Sequence, residues 1–193
     1  MCSIATLPQG WTVDTVLRTV AGWDAPPLHA LIDTGALVTG YTNAEVAATL
    51  LDVGLDGFDG VVYLDEADRK MILVRAGRRV MRLEQCGVAR ERRFTFYDQT
   101  HTTGMDIKQP LACSAVVTLG KDMTWRDFAQ GAYRMRGIGK GQTIALYVIP
   151  EVAKLVEAEA AAGAAPGAPA ASPFVSPAES ARRELCDVAA WLH

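Results

Sequence analysis

Asp106 lies in the string HTTGMDIKQP, and Arg134 and Arg136 follow it in QGAYRMRGIGKGQ. A loop carboxylate can bond a ribose hydroxyl or hold an arginine in place, and a fixed guanidinium can stabilise charge growing on a transferred phosphoryl group. Gly104, just before Asp106, permits close approach of the backbone to a phosphate. Gln130 and Arg134 fall one turn apart on a helix expected over 127–136, where they share a face. Arg134 and Arg136 are therefore candidate catalytic cations of the arginine-finger type, and Gly104, Asp106 and Gln130 are candidate nucleotide contacts. A second chemistry is also open. Cys86 precedes Gly87 in an expected loop, and His101 and His29 are the interior histidines. A thiolate beside an imidazole attacks acyl carbon, which makes Cys86 with His101 the alternative catalytic pair.

Three further strings spell known chemistry in the wrong surroundings. Gly137-Ile138-Gly139-Lys140-Gly141-Gln142 is rich in glycine beside a lysine, but a Walker loop needs a glycine five residues before its Gly-Lys and a Ser or Thr after it, and Arg134 and Gly141 hold those places. It reads as a turn. VVYLDEAD ends an apolar strand on the magnesium-binding box of nucleotide motors, yet no Walker loop precedes it. Leu31-Ile32-Asp33-Thr34-Gly35-Ala36 matches the signature of retroviral-type aspartic proteases, whose paired aspartates share a proton. The helix that opens soon afterwards disagrees with an all-β protease. Cys2, Cys86, Cys113 and Cys186 form no CxxC pair and have no histidine at ligand spacing, so no metal site is expected. Cys113, in an apolar strand, reads as inert core.

The elements that would position these groups alternate. Val13, Val16, Leu17 and Val20 fall at helical spacing before Gly22. LHALIDT reads as a buried strand, and Thr42-Asn43-Ala44-Glu45 is a capping box opening a helix to about Leu51. VVYL is a further strand, followed by KMILV and RVMRL as a hairpin around Ala76-Gly77-Arg78. FTFY, ACSAVVTL and TIALYVI are continuous apolar strands of the kind that sheets cover on both faces. A helix starting near Thr124 joins the last two and is expected to carry the arginines. This pattern predicts an α/β fold with a largely parallel sheet and an inserted β-hairpin, over residues 5–152. From about Glu151 a helix is expected to lead into AEAAAGAAPGAPAASP, which is too poor in large apolar groups to pack, and 153–175 is expected to be a low-complexity linker. A final helix is expected within 176–193, entering at Ser176-Pro177-Ala178-Glu179 and carrying Leu185, Val188 and Trp191.

The formal charge of -3 gives no global reason to bind nucleic acid, so any basic function must be local. The densest basic run, Arg75, Arg78, Arg79 and Arg82 with Arg90, Arg92 and Arg93, reads as the solvated face of the hairpin. The amino-terminal MCSIATLPQGW lacks the features of a secretion signal, and no apolar run reaches the roughly 20 residues of a membrane span. A reduced protein of the cytoplasm or nucleus, without a membrane partner, is expected.

Gln130, Arg134 and Arg136, with HTTGMD and the trailing KGQTIALYV, resemble the last two motifs of superfamily-two helicase C-terminal lobes. The resemblance implies a three-layer, RecA-like lobe of the P-loop NTPase type, whose loop senses nucleotide and strand. Its arginines would reach ATP that a first lobe holds with magnesium. The family spaces its arginines three apart with glycine before the first; here they are two apart and Tyr133 precedes Arg134, so the resemblance does not choose between them. Over residues 5–152, LHALIDTGALVTG, GVVYLDEADRKMILVR, YDQTHTTGMDIKQP and QGAYRMRGIGKGQ resemble the C-terminal region of very large eukaryotic proteins labelled ubiquitin thioesterase or ubiquitinyl hydrolase. That label implies a cysteine-type deubiquitinase, a thiol protease with ubiquitin or ubiquitinated proteins as partners. The expectation is a lobe from a larger protein that binds no cofactor alone, turns over no ATP alone and completes a nucleotide site with a missing amino-terminal lobe. Thiol hydrolysis by Cys86 and His101, and a non-catalytic interaction module using the final helix, are the alternatives. Nucleic acid stays open as a partner.

Overall fold

The run CSAVVTL has no polar alternation and needs apolar cover on both faces, and the computed structural model forms it into a strand with all seven residues buried. The structure describes residues 3–23, 26–101, 106–163 and 185–192. Its strands are β1 (Ser3–Thr6), β2 (Leu28–Ile32), β3 (Gly60–Leu64), β4 (Lys70–Val74), β5 (Arg79–Arg82), β6 (Arg93–Tyr97), β7 (Cys113–Leu119) and β8 (Gln142–Val148). Its helices are α1 (Val13–Ala21), α2 (Asn43–Val53), α3 (Trp125–Ala132), α4 (Pro150–Gly163) and α5 (185–191). One mixed sheet runs in the order β1-β8-β7-β2-β6-β3-β4-β5. The pairs from β1 across to β3 are all parallel, and β4 and β5 add an antiparallel edge. The described residues thus form an α/β structure with a mostly parallel sheet and five helices, as the alternation predicts.

Register and direction of travel decide what lies on each face. Leu31 pairs with Phe96 and Val116, whereas Ala30 pairs with Thr95 and Ala115, so Phe96 and Thr95 look to opposite sides. α1 packs on α2, and Phe58, between α2 and β3, meets Phe94 edge to face at 5.6 Å. The crossover from β2 to β3 travels one way along the sheet and that from β7 to β8 the other. Right-handed connections therefore put α2 and α3 on opposite faces.

Local chemistry fixes the helix ends. α1, α2 and α3 each open on a reciprocal capping box, Thr12 with Thr15, Thr42 with Glu45 and Thr124 with Asp127. Each cap is worth about 1 kcal/mol. At the far end of α2, Arg75 donates to the carbonyls of Leu51, Gly54, Leu55 and Phe58. Arg78 pairs with Asp52, Arg92 with Asp59, and Arg93 donates to the Val88 carbonyl. Five of the seven arginines of the basic run, Arg78, Arg79, Arg82, Arg90 and Arg92, are exposed, as a solvated face requires, while half-buried Arg75 and Arg93 brace the loops beside them.

Other expectations change. β1 is a strand where none was foreseen. α3 stops at Ala132 with Tyr133 as its cap, so Arg134 and Arg136 lie beyond the helix, and Gln130 and Arg134 share no helical face. The Asp65-Glu66-Ala67-Asp68 string is the turn joining β3 to β4, with the Asp65 carboxylate accepting the Ala67 and Arg69 amides. The helix expected from about Glu151 forms as α4 and runs to Gly163, inside the expected linker, and the rest of that linker, with the helix entry at 176, lies outside the described residues. α5 docks back: Val188 and Leu192 are buried, and the Leu192 carbonyl accepts the Trp125 N–H at 2.8 Å, at the start of α3. No helix among the described residues is long and apolar enough to cross a membrane.

Candidate functional site

Asp106 does meet both arginines. Arg136 donates through Nε to both carboxylate oxygens, at 3.2 and 3.0 Å, and through a terminal nitrogen at 2.9 Å, while Arg134 reaches the same carboxylate at 3.1 Å. The bond from Arg136 is the main cause of a carboxyl held below its usual range, and the charges of Arg136, Arg134 and Lys70 add to it. Arg136 is correspondingly raised, first by its hydrogen bond to Asp106.

Two short stretches hold this cluster over one face of the sheet. After Asp106 the chain runs back across β6. The Ile107 amide donates to the Tyr97 hydroxyl at 3.0 Å, and the Gln109 side chain donates to Thr95 at 2.9 Å. Burial pushes the Tyr97 phenol up to about 12. On the other side, the chain beyond α3 turns tightly, Arg134 N bonding the Gly131 carbonyl and Met135 N that of Ala132. Met135 is buried, which anchors the turn between its two arginines. Gln142 ties the stretches together, accepting the Gly137 amide and donating to the Pro110 carbonyl, both at 2.7 Å.

The groups converge on a concavity of about 880 Å³ whose wall includes Arg93, the first residue of β6, and Gln142, the first of β8. The site therefore lies across the face of the sheet and not, as the loop's place after a strand suggests, solely beyond its carboxyl rim. Lys70, Arg90, Arg93, Lys108 and Lys140 stand on its wall with Arg134 and Arg136, against Glu84 and Asp106 as the carboxylates among the described residues. These five were missed as site residues because they are scattered in sequence. Only Arg90 and Arg93 stood out, as members of the basic run.

Gln130 belongs elsewhere. It lines a separate crevice of about 450 Å³ with Thr34, Gly35, Gln99, Gly120 and Lys121. That crevice lies beyond the carboxyl ends of β2 and β7, where the direction of the crossovers reverses, a usual ligand position in open α/β sheets. Beside it Asp33 is almost wholly buried and accepts from the Leu37 and Val38 amides and the Thr118 hydroxyl at 2.9, 2.8 and 2.7 Å. Burial pushes its carboxyl up, against the pull of those three donors. Asp33 is thus a loop brace. Gly104 lies outside the described residues.

Cys86 and His101 are not joined. His101 lies between two carboxylates, Nε2 at 2.9 Å from Asp68 and Nδ1 against Asp98, on a concavity that Cys86 does not line. The Cys86 sulfur accepts the Val88 amide at 3.4 Å. Cys113 is buried, which pushes its thiol up to about 11, in keeping with its reading as core. Among the described residues no group of three His, Cys, Asp or Glu side chains could hold a metal ion.

Compared with protein-family models, curated proteins and solved structures, the chain matches none.

Proposed function

We propose that this chain is a RecA-like lobe of the helicase C-terminal kind, presenting Arg134 and Arg136 to a phosphoryl group held by a separate first lobe. The observation that carries the reading is the shared grip of one carboxylate on two guanidinium groups. A cation already oriented loses little freedom when charge develops beside it, so its stabilisation falls on the transition state. Asp106 supplies that orientation, and Arg136, still more than half exposed, keeps donors free for a phosphate.

Turnover by the chain alone is not part of the proposal. In the glycine-rich Gly137–Gln142 stretch three amides are spent on its own turn: Gly137 N bonds the Gln142 side chain, and Lys140 N and Gln142 N bond the Gly137 carbonyl. Amides so engaged do not cradle a phosphate. ATP and magnesium would be held by the first lobe, and the arginines would act on the nucleotide from outside. Nothing in the site favours thiol hydrolysis, since both ring nitrogens of His101 face carboxylates and neither faces Cys86.

The purified chain is expected to release no phosphate from ATP. Steady hydrolysis that disappears in Arg134→Ala would overturn the proposal by making the chain a complete motor.

A further inference from the structure

Arg134 and Arg136 are two of seven cations on the wall of the concavity, in a chain whose net charge is -3. The other five divide by what they touch. Arg93 is occupied by the Val88 carbonyl, and Lys70 acts on Asp106 through charge. The side chains of Arg90, Lys108 and Lys140 make no hydrogen bond or ion pair with the described residues. Gathering like charges without counter-charge costs the folded state, and a bound anion removes that cost.

The cations come from four stretches of chain: the start of β4, the approach to β6, the return segment after Asp106 and the turn after α3. Those that frame the concavity are braced by bonds that do not involve the free cations. Arg93 ties the approach to β6, Gln109 ties the return segment to Thr95, and Gln142 ties the turn to Pro110. The wall is therefore fixed before any ligand arrives, which lowers the entropy lost on binding. A volume of about 880 Å³ is that of a small-molecule site.

We propose that this concavity binds, without a second lobe, a compact and multiply phosphorylated small molecule, held by Lys70, Arg90, Lys108 and Lys140 together with Arg136. Nucleoside triphosphates, inositol polyphosphates and inorganic polyphosphate share the chemistry. The proposal shares Arg136 with the nucleotide reading but does not depend on it.

The probe is inorganic tripolyphosphate, titrated into the full chain by calorimetry. One saturable site is expected, weakening as salt rises, with affinity at least about tenfold lower in Lys108→Glu and in Lys140→Glu. Both side chains are exposed, so the variants should fold, and their unfolding midpoints check this. Arg79→Glu, on the exposed edge strand away from the concavity, should bind as the wild type does. Competition by ATP and by inositol hexakisphosphate for the same site would support recognition of phosphate and show which source binds best. The proposal is overturned by absence of saturable binding, by an equal loss in Arg79→Glu, or by a single-stranded oligonucleotide that outcompetes tripolyphosphate. Because turnover is not read, ATP hydrolysis by the chain would sink the nucleotide reading and leave this one standing.

Discussion

Asp33 and Asp106 are both carboxylates in loops after parallel strands, and they do opposite things. Asp33 is about 1% exposed and meets only neutral donors, two amides and a hydroxyl. The loops it braces press together so closely that Gly35 and Gly120 lie back to back. Asp106 is about half exposed in its side chain and, among the described residues, its carboxylate meets guanidinium groups alone, with further cations unpaired among those residues nearby. A buried carboxylate whose acceptors are all spent on neutral donors holds a fold together. A solvated one outnumbered by cations leaves positive charge over for a ligand. The two environments drive their carboxyls in opposite directions, up for Asp33 by burial and down for Asp106 by the Arg136 bond.

The contrast breaks most directly at Asp33. Asp33→Ala strands the Leu37 and Val38 amides and the Thr118 hydroxyl, and at roughly 1–3 kcal/mol for each buried unsatisfied group a loss of about 3–5 kcal/mol is expected in urea unfolding. Arg136→Ala, which removes an exposed pair, should cost less than about 1 kcal/mol. Equal midpoint shifts for the two variants would abolish the distinction between brace and site.

A smaller effect tests the packing around the brace. A Cβ on Gly35 would lie 2.4 Å from the Gly120 backbone nitrogen, a clash that no side-chain rotation relieves. Forcing the loops after β2 and β7 apart should cost about 1–3 kcal/mol in Gly35→Ala. The crevice that Gln130 lines should widen with it. Unchanged stability would mean that the two loops move independently.

Much of this frame was legible in the residues. Thr42 with Glu45 announced α2, apolar runs without alternation announced β7 and β8, and the Gly-Asp loop with two downstream arginines announced a pairing that the fold makes. What escaped has physical causes. SIAT is only four residues, with Ile4 and Thr6 as its strand formers, and it becomes β1 because the edge of β8 pairs with it. WRDFAQGAYRMR reads as helix through its Gly131 to the glycines from Gly137, whereas α3 ends one residue after Gly131, ahead of buried Met135. Asp33 resembled a catalytic signature, and only the burial of its loop shows what its oxygens are used for. The basic concavity draws on positions 70, 90, 93, 108 and 140, which no local window joins.

The smallest expected effect is also the sharpest test, because it depends on sign. An Asp left unfolded titrates near 3.9. Asp106 sits below its ordinary value in the fold, so its ionised form adds stability that is full above about 4 and is lost as pH falls through the lower folded value. Asp33 sits above its ordinary value, so the fold binds the extra proton, and stability falls as pH rises from about 4 through the raised value. Measured as wild type minus variant in urea titrations from acid to neutral pH, the difference should rise with pH against Asp106→Asn and fall with pH against Asp33→Asn. Salt separates them again: half-exposed Asp106 is screened, and its slope should flatten at about 0.5 M, whereas buried Asp33 should keep its slope. Two slopes of one sign would place both carboxylates in the same kind of environment, and the division of the molecule into a neutral brace and a cationic site would fall with them.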